Sequence, residues 1–175
     1  MTIRELRADD GPAMLAFAGG LPAGEATFFK DEQVRTDRVV DWATHPNAVR
    51  LVAEEEGAIL GYAGVLPGAG LSAHVGEVRM IVASFARRRG VGRALARRAM
   101  LGAFAERGLE KLFVEVVADD EGTIALFKRL GFVVEALLRD HLRDRNGRLR
   151  DLVLLAHLVD EGWSDMATLG LASAR

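Results

Sequence analysis

The sequence predicts a mixed α/β fold, with about seven strands and about four helices around one central sheet, and three observations carry that expectation. Segments of strand length and helix length follow one another as strand, two helices, three mainly antiparallel strands, helix, strand, helix and two strands. Residues 111–118 are apolar throughout except for Lys111 and Glu115, the pattern of a parallel strand buried on both faces. The chain has 175 residues, of which 50% are hydrophobic, 27% charged and 6% aromatic, enough apolar material for one core. At that length a single domain buries roughly 70% of the surface of its unfolded chain. Residues 1–163 are expected to form it, with 164–175 a frayed tail.

Taken in order, residues 3–7 alternate as a short strand. Asp9 and Asp10 before Gly11 and Pro12 then open a helix that runs to about Gly19, with carboxylates where the dipole favours them. Gly19, Gly20, Pro22 and Gly24 mark a loop, and residues 31–43 read as a second helix with Val34, Val39 and Trp42 on its apolar side. Residues 48–54 and 58–66 pair as a hairpin across the Glu55-Glu56-Gly57 turn. After the glycines at 68 and 70, residues 74–84 form the fourth strand. A helix over 90–107, rich in alanine and glycine, can pack closely on a sheet and ends at Gly108. Residues 111–118 are the fifth strand. Asp119 and Asp120 cap a helix that stops at Gly131, and residues 132–144 and 149–159 form a last hairpin whose turn contains Asn146-Gly147.

The net charge of −2 hides an uneven distribution. Between Val78 and Ala105 lie seven arginines and no Asp or Glu, so that stretch carries +7 and the remainder −9. Such a local field suits a compact anion better than a long polyanion. The absence of cysteine excludes disulfides, thiolate metal ligation and a cysteine nucleophile. Residues 1–10 hold no apolar h-region, and apolar runs stay under the roughly 18 residues of a membrane span, so a cytoplasmic protein without membrane contact is expected. His45, His74, His141 and His157 lack metal-ligand spacing, and no metal is expected.

The chemistry concentrates in Arg87-Arg88-Arg89-Gly90-Val91-Gly92-Arg93, where a strand ends, glycines follow and a helix begins. Free N–H groups at a helix N-terminus, the helix dipole and glycines that admit oxygen atoms to the main chain make an anion site, and arginines add fork-shaped donors. A Walker loop would need Lys-Ser/Thr after Gly92, and a dinucleotide fingerprint a small residue where Leu95 stands.

This loop resembles the acetyl-coenzyme A loop of the GCN5-related N-acetyltransferase (GNAT) superfamily, Gln/Arg-x-x-Gly-x-Gly/Ala. Met80-Ile81-Val82 is similar to the end of that family's fourth strand, and Leu126-Phe127-Lys128-Arg129-Leu130-Gly131-Phe132 to its Leu-Tyr-x-x-Leu-Gly-Phe signature. The resemblance implies the GNAT fold, α/β or α+β by some schemes, with its mixed sheet splayed between the fourth and fifth strands. It further implies an acetyl-CoA-dependent N-acetyltransferase acting on a primary amine, either a small molecule or a protein N-terminus, by direct attack in a ternary complex.

By the same resemblance, backbone groups of Met80, Ile81 and Val82 bind the pantetheine amides, and Arg87, Arg88, Arg89, Gly90, Val91, Gly92 and Arg93 wrap the pyrophosphate. A main-chain N–H near Val82 is placed to stabilise the developing oxyanion. Asp120 stands where relatives often carry an asparagine that contacts the coenzyme, although an N-cap is its plainer role. The acceptor must lose a proton, because an alkylammonium titrates near about 10. Glu77 on the fourth strand is the first candidate base and Glu115 on the fifth the second; the plain alternative is that either pairs with an arginine such as Arg79. Phe127 replaces a tyrosine that protonates the departing thiolate in many relatives, so no general acid transfers, and its ring is expected beside the coenzyme or in the core.

The ending, with Leu138-Arg139-Asp140-His141 and Trp163, is similar to the ribosomal-protein and polyamine acetylating branch and leaves the acceptor open. Two other readings compete: a CoA-binding sensor without turnover, which the Phe127 replacement favours, and a nucleic-acid module, which the −9 outside the arginine segment disfavours. A homodimer is compatible with all of this.

Overall fold

Strands β1 (Thr2–Glu5), β2 (Val49–Glu55), β3 (Ala58–Pro67), β4 (Val75–Val82), β5 (Lys111–Val117), β6 (Val133–Arg143) and β7 (Leu149–Leu158) form one sheet in the order β1-β2-β3-β4-β5-β7-β6. Every neighbouring pair is antiparallel except β4 and β5, which are parallel and joined by a helical crossover. The computed structural model from which this is drawn describes residues 1–22, 36–45, 47–144 and 146–159. The loop at 23–24, the first part of the expected second helix with Val34, the residues Pro46 and Arg145, and the tail with Trp163 lie outside the described residues.

The helices are α1 (Gly11–Gly19), α2 (Thr36–Thr44), α3 (Val91–Leu101) and α4 (Glu121–Arg129). Helix α3 continues into a wider π-turn at Gly102–Glu106, which together span the single helix expected over 90–107. The β2–β3 hairpin turns on Glu56 and Gly57, both at positive φ (52° and 81°), the two-residue turn whose twist matches antiparallel strands. Asp120 is the N-cap of α4: one carboxylate oxygen accepts from the Thr123 N–H at 3.0 Å and the other from its hydroxyl at 2.6 Å.

One local expectation is corrected, at β5. The helix entry expected at Asp9 and Asp10 is present, with Asp10 the N-cap residue of α1, although no side-chain bond caps that helix. Asp10 is buried, and its carboxylate grips both terminal nitrogens of Arg4 at 2.7 and 2.8 Å and accepts the Arg7 N–H at 2.7 Å. Those bonds, Arg4 first, hold its carboxyl below the usual range against the opposing effect of burial. Strand β5 is not buried on both faces: Leu112, Val114 and Val116 are buried, whereas Lys111, Phe113, Glu115 and Val117 are only half-buried. The reason is how the helices divide over the sheet. Gly92 of α3 lies against Met80, Val82 and Leu126 of α4, so α3 and α4 share one face. Trp42 of α2 packs on Tyr62, the partner of Ile81, and α1 also lies against β3, so α1 and α2 lie on the other face, over β3. On that second face the described helices stop short of β5.

Candidate functional site

The parallel contact is brief. Val75↔Lys111, Gly76↔Leu112 and Glu77↔Phe113 pair, and the register goes no further. Beyond that point β4 remains bound to β3 as far as Gly61↔Val82, and β5 to β7 as far as Val117↔Leu152. Each strand is thus held by its outer neighbour while the two diverge, and a gap opens between their inner edges from Val78 onwards.

Which main-chain groups face that gap follows from hydrogen-bond alternation in the antiparallel β3–β4 ladder. The Ala83 N–H donates to Leu60 (2.9 Å) and the Gly68 N–H to Val75 (2.8 Å), which fixes 83, 81, 79, 77 and 75 as the β4-side residues bonded to β3. The alternate residues, Val78, Met80 and Val82, turn their N–H and C=O toward β5. Of the expected pantetheine-binding segment, Met80 and Val82 therefore present main chain to the gap. Ile81 spends its main chain on Tyr62.

At the upper end of the gap a short turn over Ser84–Ala86 leads into the glycine loop. Gly90 is the N-cap of α3 and lies in the left-handed region at φ 83°, where a side chain would be strained. Arg88 is left-handed as well, at φ 59°, an uncommon conformation for a residue with a Cβ. No side chain caps α3 and no acidic residue lies in its first turn, so its leading N–H groups stay open. A Cβ on Gly90 would meet nothing within 4 Å, and one on Gly92 would sit 3.5–3.6 Å from Leu126, Met80 and Val82, an ordinary contact.

The loop arginines divide into two pairs. Arg87 donates from Nε to the Val82 carbonyl at 3.1 Å, and Arg89 binds Glu55 at 2.7 Å, which also takes the chain's amino terminus at 3.3 Å. Arg89, then that amino group, holds the Glu55 carboxyl below its ordinary range. Arg88 and Arg93 are exposed and make no side-chain hydrogen bond or ion pair among the described residues. A basic loop with two free guanidinium groups beside open helix N–H groups can hold a diphosphate.

The two candidate carboxylates share the α2 face. Glu77 stands in the last β4–β5 pair, at the vertex of the gap, and Glu115 lies two residues past its partner Phe113 on the diverging β5. Glu77 accepts from Nη2 of Arg79 at 3.1 Å, with side-chain exposures of 16% and 21%. The pairing with Arg79 considered from sequence is therefore present, and it coexists with a position at the vertex. Glu115 is half-buried. Phe127 is 0% exposed and meets Phe132 edge-on at 5.0 Å between centroids, in the core. With both oxygens of Asp120 engaged by Thr123, its role in this structure is the cap. What sequence reasoning missed is the alternation along β4 and the buried Nε of Arg79, which has no hydrogen-bond partner among the described residues; neither leaves a local sequence signal.

Comparison with known proteins agrees with this geometry. The sequence model described as "Acetyltransferase (GNAT) family" matches residues 7–132. Among solved structures, a ribosomal-protein-alanine N-acetyltransferase from Brucella melitensis superposes with a TM-score of 0.76 at 27% identity, over 91% of this chain and 100% of that one. A Salmonella typhimurium protein determined with its cofactor acetyl-CoA gives 0.77 at 23% identity, over 91% and 94%. An N-acetyltransferase from Staphylococcus aureus gives 0.78 at 22%, over 91% and 98%. Among curated protein sequences, none matches the chain. No described helix is long and apolar enough to cross a membrane.

Proposed function

The chain belongs to the GNAT acetyltransferase family, and from that premise we propose that it is an acetyl-CoA-dependent N-acetyltransferase that acylates a primary amine by direct attack in a ternary complex. The observation that carries the reading is the gap between β4 and β5, lined by the main chain of Met80 and the N–H of Val82 and ending at the open N-terminus of α3. These parts fit the coenzyme chemically. Open N–H groups, Gly90, Gly92 and the exposed Arg88 and Arg93 suit phosphates, and an unpaired strand edge suits the amides of a pantetheine arm. When bound, acetyl-CoA supplies the electrophilic thioester carbonyl.

The chain's own groups supply the rest. Val91 N–H and its neighbours hold the phosphates, while Met80 and Val82 hold the arm along the edge of β4, and the N–H groups on that edge are available to a carbonyl oxygen. Glu77, at the vertex of the gap, receives the proton that the ammonium must lose, directly or through water, and Glu115 is the alternative on the facing strand. Phe127 has no proton to give, so the departing thiolate leaves without help from that position. Orientation of two substrates at one vertex removes most of the entropic cost of their encounter.

The test is release of free thiol from acetyl-CoA across a panel of amines. Amine-dependent release is the expected result. Tight coenzyme binding with no release on any amine would leave a coenzyme sensor instead, the reading that Phe127 favours.

A further inference from the structure

We infer that Glu55 is a positioning residue for the coenzyme loop: its ion pair with Arg89 holds the left-handed turn at Arg88, and with it the phosphate-binding shape of residues 87–92. The inference rests on the coenzyme-binding part of the acetyltransferase reading and concerns how the loop is kept in shape.

Gly61 pairs with Val82 and the Ala83 N–H donates to Leu60, so the β2–β3 turn stands at the end of the sheet where β4 runs into the loop. From that turn Glu55 reaches Nη2 of Arg89 at 2.7 Å, a contact between residues 34 apart in sequence. Two residues earlier, Arg87 is fastened by the bond from its Nε to the Val82 carbonyl at 3.1 Å. Between the two fastenings lies Arg88, at φ 59°. Gly90 takes φ 83° without steric cost, but a residue with a Cβ keeps such a conformation only where its surroundings impose it. The Arg88 side chain imposes nothing, since it is exposed and makes no hydrogen bond or ion pair among the described residues.

The other non-glycine residues described at positive φ have restraints of their own. Glu56, at φ 52°, is set by the pairing of Glu55 with Ala58 across the hairpin. Asp140, at φ 51°, donates its N–H to the Asp151 carboxylate of the neighbouring strand at 2.9 Å. A carboxylate from another strand thus stands beside Asp140 as Glu55 does beside Arg88. The conformation matters for binding because the left-handed Gly90 followed by the helical Val91 is the backbone alternation that turns successive N–H groups toward one anion. Arg88 sets the direction from which the chain enters that alternation. Glu55 serves it by shape and not by charge, since a carboxylate repels a phosphate. That fixes the sign of a test: on charge alone, removing Glu55 tightens the binding of an anion, whereas releasing Arg89 and Arg88 weakens it.

CoA binding is measured by calorimetry for the native chain, E55A, E55Q, R89A, R88G and the double variants E55A/R89A and E55A/R88G. E55A binds CoA about 5-fold more weakly, the scale of an exposed ion pair, and E55Q, whose amide oxygen still accepts from Arg89, restores the affinity. In the R89A and R88G backgrounds E55A brings no further loss, because the fastening or the strain is already gone. The R89A background also controls for the amino-terminal contact of Glu55, which E55A removes as well. By NMR, the strong cross-peak between N–H and Hα of one residue that marks a positive φ is present at Arg88 in the native chain and in E55Q and weakens in E55A. Unchanged or tighter CoA binding in E55A, a cross-peak that persists there, or an equal loss in the R88G background overturns the inference. A native chain that binds no CoA defeats the acetyltransferase reading, and the cross-peak then still decides whether Glu55 holds Arg88.

Discussion

The two ends of the gap between β4 and β5 are built in different ways. The coenzyme end is one continuous segment, Val82 to Arg93, and its working groups are main-chain N–H groups exposed by a left-handed glycine and an uncapped helix. The proposed acceptor end is made of side chains, Glu77 from one strand and Glu115 from another, on strands that the register Glu77↔Phe113 brings side by side. A site made of backbone is governed by conformation and space, so it answers to glycine substitutions. A site made of side chains answers to isosteric ones.

The largest effect expected from this contrast is at Gly92. Since a Cβ there makes only ordinary contacts, Gly92→Ala should fold normally, whereas Gly92→Leu should weaken CoA binding by more than about 100-fold, or ~2.7 kcal/mol, in calorimetric titration. Unchanged affinity in Gly92→Leu would remove the loop from the site. Next in size is Glu77→Gln, which keeps the shape and the Arg79 contact. At neutral pH kcat/KM should fall roughly 10²- to 10⁴-fold, with the deficit narrowing as alkaline pH deprotonates the amine itself. If Glu115→Gln loses more, the base lies on β5 instead.

Away from the gap the effects become purely structural. Asp10→Asn breaks a buried pair with Arg4 and should cost about 3 kcal/mol at pH 7 by denaturant titration. The native carboxyl titrates lower than in the unfolded chain, so its contribution is complete above about pH 4 and lost as pH falls through the lowered folded value; the variant's stability should be flatter in acid. Asp120→Ala should cost about 1 kcal/mol of stability, the worth of an N-cap, with CoA affinity within about twofold of native. A selective loss of affinity would restore Asp120 to the coenzyme site.

The same contrast explains what was legible in the sequence. The glycine loop could be read because Arg87 to Arg93 are adjacent, and the sheet because each strand carries its own apolar pattern. The hairpin at Glu56-Gly57 and the cap at Asp120 are local devices and were equally plain. The burial of β5 was misjudged because its apolar run says nothing of where the other helices stop. Asp10 was legible as part of a helix entry, whereas its ion pair with Arg4 was not, because Arg4 lies across the start of the fold and not along the helix. That only Met80 and Val82 of the segment Met80-Ile81-Val82 face the gap depends on the phase of the β3–β4 ladder, set by bonds such as Ala83 N–H to Leu60, which no residue type announces. The Arg79 Nε is hidden for the same reason: its lack of a partner among the described residues is a property of the folded surroundings.

That phase offers the most direct test of the central claim, that the free edge of β4 receives the coenzyme. Backbone amide resonances of Met80, Ile81 and Val82 can be followed by NMR as CoA is added, together with their hydrogen exchange. The account predicts that the Met80 and Val82 amides shift and become protected while Ile81, already bonded within the β3 ladder, changes little. Saturable CoA binding with Met80 and Val82 unmoved, or with all three amides shifting alike, would contradict it.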